Sequence, residues 1–225
     1  AGGYTTTNVA VTESFDGTSW TELADLSVAR RNPAGGNSSP NEATIVFGGN
    51  GPSTSNATEE FSAAPVTAAI LTEGGVFLSK GTTLKGFGKA SGVPSGTWAS
   101  GPAMNHAREG GNSGFGTTIA GVAVGGDPSP GAQVEHYNGT AWSNATAVPA
   151  SRGQGGTAGT QITGIIMGGM PSDQGLCYTY NGSSWTEIAE LNTGRSTGVG
   201  FGSSAGAIYA GGYPDTASVE SWNGS

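Results

Sequence analysis

Cysteine is nearly missing from this chain. Its single copy in 225 residues, Cys177, rules out an intrachain disulfide and a cysteine-based zinc cluster. Basic charge is scarce as well. Eight Lys and Arg oppose sixteen Asp and Glu, for a net charge of −8 and a pI near 4.6. That balance argues against a general binder of nucleic acid or anionic membranes. No apolar run approaches the roughly 20 residues that cross a bilayer as a helix, so no membrane insertion is expected. The amino-terminal residues lack the charged-then-apolar pattern of a signal peptide. The two histidines, His106 and His136, have neither a helix-borne partner nor a carboxylate cluster beside them, so no metal and no cofactor is expected. Nothing reads as a nucleophile elbow. The glycine-rich stretches at 114–116 and 198–200 lack the lysine and helix start of a phosphate loop. The expectation is a chain that is not an enzyme.

What the chain has in abundance is glycine, 42 residues of it. A doublet returns at Gly2-Gly3, Gly48-Gly49, Gly125-Gly126, Gly168-Gly169 and Gly211-Gly212, at spacings of 46, 77, 43 and 43. Each later doublet closes a short apolar run, at 43–47, 119–124, 162–167 and 207–210. After the doublet come a polar loop, an acidic and aromatic stretch, an Asn-Gly or Asp-Gly pair, and in most units a tryptophan. Val134-Glu135-His136-Tyr137-Asn138-Gly139-Thr140-Ala141-Trp142 shows the plan in full. Asn-Gly accepts the positive φ values of a tight hairpin turn. A repeat of about 40 to 50 residues with four short strands is a propeller blade. Its strands are named a to d: b is the apolar run, c the acidic-aromatic stretch, and d starts at the tryptophan. Strand a follows a recurring arginine (Arg30, Arg108, Arg152, Arg195) and is built from small residues, as inner strands converging on an axis require.

The doublets, the aromatics Phe15, Tyr137, Tyr180 and Trp222, the tryptophans Trp20, Trp98, Trp142 and Trp185, and the four arginines together resemble a kelch-type β-propeller. The resemblance implies an all-β propeller of four-stranded blades, five of them touched and the first and last incomplete. It implies one domain over residues 1–225, read as part of a longer chain. The arginines are expected to bond carbonyls or the strand-c glutamates between blades, with Glu13, Glu59, Glu135 and Glu220 as the candidate carboxylates. Cys177 occupies the strand-c slot of Val134 and Val219, which reads as a small buried hydrophobe. Trp20 to Trp98 spans 78 residues, against 44 and 43 for the next intervals. Residues 62–96 are therefore an insertion between strands c and d of the second blade, with a hairpin around Lys80-Gly81. All three lysines of the chain, Lys80, Lys85 and Lys89, fall in it. A basic finger on an acidic disc is a contact device, or a charged cap on strand edges.

The loops between strands b and c differ while their frame repeats, which marks them for recognition. Asn50, Asp127, Asp173, Tyr213 and Asp215 in these loops are the candidate binding residues. Phrases such as Val-Glu-x-Tyr-Asn-Gly-Thr-Ala-Trp are also similar to kelch-like repeat proteins of marine bacteriophage virions. That similarity implies a non-enzymatic structural or adhesion protein of a tail, fibre or surface appendage. Its partners would be other virion proteins, copies of itself or a host-surface glycan, and its location the virion surface or the extracellular space. The alternative is a secreted or cell-surface carbohydrate-binding propeller.

Overall fold

A computed structural model describes the chain except residues 16, 37–42, 64–75, 80–82, 87–95, 109–112, 127–130, 172–174, 215 and 225, and the side chains of 76–79 and 83–86. The described residues form strands and turns, with no helix. The first blade comprises β1 (Gly3–Tyr4), β2 (Asn8–Val9), β3 (Glu13–Phe15) and β4 (Trp20–Glu22). The second has β5 (Ala34–Gly35), β6 (Ala43–Phe47) and β7 (Thr58–Ala63), then the inserted hairpin β8 (Val76–Ser79) and β9 (Thr83–Gly86), and finally β10 (Gly96–Gly101). The third is β11 (Ser113–Thr117), β12 (Ala120–Val124), β13 (Val134–Tyr137) and β14 (Trp142–Ala145). The fourth is β15 (Gly156–Thr160), β16 (Thr163–Met167), β17 (Cys177–Tyr180) and β18 (Trp185–Ile188). β19 (Val199–Ser203), β20 (Gly206–Ala210) and β21 (Val219–Trp222) close the series.

Blades two, three and four are antiparallel four-stranded sheets in the order a-b-c-d, and the last sheet has three strands. The inner strands β5, β11, β15 and β19 lie side by side in sequence. These four sheets form a β-propeller of about four blades, preceded by the separate two-stranded pairs β1–β2 and β3–β4. Because successive strands are antiparallel, the b–c loops and the d–a connectors share one face, and the a–b and c–d turns share the other.

Side chains alternate between the two faces of each sheet, and in blades three and four both faces are covered by neighbouring blades. Val122, Val124 and Val134 of blade three pack against Ile166, Tyr178 and Tyr180 of blade four. From the opposite face of blade three, Ala123, Tyr137 and Trp142 meet Ile45 and Phe47 of blade two. Ile165, Met167 and Cys177 of blade four meet Ala207 and Tyr209 of the last blade. Cys177 is thus a buried apolar contact, and burial pushes its thiol pKa up. Small inner-strand residues are a packing requirement. An added Cβ on Gly114 would touch the Phe47 ring. The outward indoles also bind blades together: Trp98 Nε1 donates to Thr12 Oγ1 at 3.2 Å and Trp142 Nε1 to Thr58 Oγ1 at 3.1 Å, each in the preceding blade.

Candidate functional site

The recurring arginine explains the recurring doublet. Its backbone carbonyl accepts the N–H of the second doublet glycine of the preceding blade: Gly3 to Arg30, Gly49 to Arg108, Gly126 to Arg152 and Gly169 to Arg195, at 2.8 to 3.1 Å. Its guanidinium donates to the carbonyl of the first doublet glycine of its own blade, in Arg30–Gly48, Arg108–Gly125, Arg152–Gly168 and Arg195–Gly211. Doublet, arginine and doublet form a hydrogen-bonded chain that runs from blade to blade. All four guanidinium groups are buried.

Three of them also meet a carboxylate. Arg30 pairs with Glu59 at 2.6 Å, Arg108 with Glu135 at 2.8 Å, and Arg195 with Glu220. Each carboxylate takes a second hydrogen bond from a connector amide, from Ser27, Asn105 and Asn192 respectively, all at 2.7 Å. These pairs join the connector to strand c of the same blade, which corrects the expectation of carboxylate bridges between blades. The link between blades comes from the arginine carbonyl instead. Desolvation works to raise the Glu220 carboxyl, but Arg195 and the Asn192 amide together hold it below its ordinary value. Glu13 stands apart from its siblings. It is exposed, whereas Glu59 and Glu135 are buried.

Blade four breaks the pattern twice. Its glutamate slot holds Tyr178, and the connector position that supplies the amide in the other blades holds Pro149, which has no N–H. Donor and acceptor are lost together. Arg152 lies over the Tyr178 ring at 5.1 Å, and the Tyr178 hydroxyl donates to Glu187 on β18 at 3.1 Å. Its Nε and Nη2 find no acceptor among the described residues.

This framework fixes the roots of the b–c loops. The residue after three of the doublets makes a two-way backbone bridge to the residue after the arginine: Asn50 with Arg31, Met170 with Gly153, and Tyr213 with Ser196. The side chain at this position is held by the scaffold and not by the loop tip. Tyr213 is 58% exposed there. Tyr4 occupies the same position after the first doublet, is equally exposed, and lies under the Arg31 guanidinium at 5.3 Å. Asn8 donates to the carbonyls of Asn50 and Gly51 at 3.1 and 2.9 Å, tying the first two loops together.

The residue two past the arginine adds a second repeated feature. Asn32, Gln154 and Thr197 all have positive φ, of 50°, 59° and 58°. Such backbone costs on the order of 1–3 kcal/mol per non-glycine residue and clusters at binding sites. Thr197 donates its N–H to the Gln154 carbonyl at 2.8 Å, across the boundary between two inner strands. The loop face therefore carries tyrosines, amides and a hydroxyl on a repeated, hydrogen-bonded frame. Among the described residues no group of three or more His, Cys, Asp or Glu is placed to hold a metal. No model of a protein family matches the chain, and a comparison with curated proteins finds no relative.

Of the binding residues expected from sequence, Asn50 and Tyr213 are placed on this face. Asp127, Asp173, Asp215, Lys80 and Lys89 lie outside the described residues, and of Lys85 only the backbone on β9 is described, opposite Phe77. Trp185 donates to the Thr146 carbonyl of the preceding blade at 2.9 Å, like Trp98 and Trp142. Trp20 does not follow them: it is 67% exposed and packs on Phe15 at 5.0 Å. Sequence reading missed Tyr4, Asn32, Gln154 and Thr197. The first was visible as doublet-plus-one and the rest as arginine-plus-two, had the repeat been read position by position. His106 and His136 serve the frame. His106 touches Glu135 at 3.3 Å, and His136 Nε2 meets the Tyr180 hydroxyl at 3.0 Å, where burial lowers its pKa.

Proposed function

We propose that this chain is a kelch-type propeller acting as a non-enzymatic adhesion scaffold on a phage virion, in a tail, fibre or surface appendage. One observation carries the scaffold reading. The buried arginines and their carboxylates are consumed in holding doublets and connectors, while the b–c face presents Tyr4 and Tyr213 at one fixed repeat position. Tyrosine supplies a large, stiff contact surface with a polar tip, which suits a recognition face. The partner is a host-surface molecule or a neighbouring virion protein. The virion location itself rests on the likeness of the repeat phrases to phage proteins.

A carbohydrate-binding propeller is the second reading, favoured by the two exposed tyrosines with Asn32, Asn50 and Gln154 nearby in the repeat. These are neutral hydrogen-bonding and stacking groups suited to sugars. Both readings are tested by binding of the purified chain to host cells and to isolated host polysaccharide. Tyr4→Ala and Tyr213→Ala are expected to lower binding at least tenfold together with an unchanged melting temperature, since both rings are exposed. Full binding by the double variant would remove the b–c face from the account. Binding to cells but not to polysaccharide would leave the adhesion reading and discard the sugar.

A further inference from the structure

One edge of a buried guanidinium in blade four lacks an acceptor among the described residues. In blades two, three and four the arginine Nη1 donates to the carbonyl of the first doublet glycine. In blades two and three Nη2 then donates to the strand-c glutamate, Glu59 or Glu135. In blade four Tyr178 stands in the glutamate slot, and its hydroxyl turns to Glu187 instead. Arg152 Nε and Nη2 are left buried with no acceptor among the described residues. Those two atoms act as a unit. The guanidinium is planar, so its Nε–H and one Nη2–H lie along the same edge and point the same way. Such an edge is a fork that receives a carboxylate or another oxyanion through two parallel hydrogen bonds.

We infer that Arg152 is the binding site of a small monovalent anion, held on its Nε–Nη2 edge where blades two and three use a glutamate. Charge selects an anion over a water molecule. Arginine keeps its proton in a protein, and among the described residues no ion pair reaches Arg152. The side chain is 1% exposed, and a buried charge without a partner is costly. Water can accept both N–H groups but brings no compensating charge. The setting also narrows the class of anion. Burial favours an ion that sheds its water easily, and the fork favours two oxygens side by side, which nitrate offers. Sulfate brings a second charge that one guanidinium leaves unbalanced. The site belongs to the frame of blade four, so it does not rest on the adhesion reading.

The test is urea unfolding of the intact 225-residue chain as sodium nitrate replaces sodium fluoride at constant ionic strength. Arg152→Leu is the reference, because it removes the fork and keeps every general effect of the salt. An ion that binds only the folded chain lowers the unfolding equilibrium constant as it fills its site. Relative to Arg152→Leu, the parent's constant is expected to fall at least about fivefold by about 200 mM nitrate. The two proteins therefore lie close in fluoride and separate as nitrate rises. Tyr178→Glu returns a carboxylate to the slot, and this variant is expected to follow Arg152→Leu. Parallel responses of the parent and Arg152→Leu would overturn the inference and leave water on the fork. A nitrate response that survives in Tyr178→Glu would overturn it as well, since the anion would then sit elsewhere. Where Tyr178→Glu does not fold, the comparison with Arg152→Leu decides alone.

Discussion

Replacing Arg108 by leucine is expected to destabilise the propeller by about 3–5 kcal/mol, whereas the same change at Arg152 costs less than about 1 kcal/mol. The two arginines sit at one repeat position and are equally buried. What differs is what each leaves behind. Loss of Arg108 strands Glu135, fully buried and held otherwise, among the described residues, by the Asn105 and His106 groups. A buried carboxylate without its counter-charge is the costly outcome. Loss of Arg152 strands no carboxylate, because Tyr178 fills the glutamate slot. It gives up one hydrogen bond to Gly168 and the contact with the Tyr178 ring, each worth about 1 kcal/mol. It also relieves two buried donors that have no acceptor among the described residues. Urea midpoints of the two variants decide the matter. Equal losses would show that the pairing with glutamate is not what makes these arginines structural.

Gly125→Ala is expected to cost more than about 3 kcal/mol, near the upper end for single substitutions. Two effects act at once. Gly125 has φ of +62°, a region that alanine enters only with strain. Its added Cβ would collide with the carbonyl of Arg152, the same carbonyl that accepts the Gly126 N–H. Backbone, and not a movable side-chain tip, stands in the way, so the doublet-to-arginine link has to open. Gly206→Ala is the matched control. It has no contact closer than 4.0 Å and carries no positive φ, and its effect should stay within about 0.5 kcal/mol. Thermal unfolding of both variants against the parent separates crowding at the link from a general intolerance of alanine.

Much of this architecture was legible because it repeats. The apolar runs before each doublet predicted β6, β12, β16 and β20 to within a residue, since period and flanking glycines agree there. The glycine content of inner strands was read correctly as packing, and Phe47 against Gly114 shows the contact. The direction of the arginine links was not legible. Spacing gives the partners Arg30–Glu59 and Arg108–Glu135, but not that each pair closes within one blade while the arginine carbonyl reaches the blade before it. Backbone hydrogen bonds carry no residue signature, so sequence cannot announce them. The exception in blade four was visible in principle. Pro149 and Tyr178 replace donor and acceptor together, yet each substitution alone looks unremarkable. Of the loop residues read from sequence, Asn50 and Tyr213 stand at the loop roots in backbone bridges. Tyr4, the equivalent position after the first doublet, was not read because the repeat was compared by motif and not by position.

The account's central claim is that this propeller serves as an adhesion scaffold on virus particles. It is tested most directly by peptide mass spectrometry on purified particles and on the particle-free fraction of the same source. The account predicts peptides such as residues 153–195, the tryptic product between Arg152 and Arg195, concentrated in the particles. The same peptides confined to the soluble or cell-surface fraction would contradict it and leave the carbohydrate-binding propeller in its place.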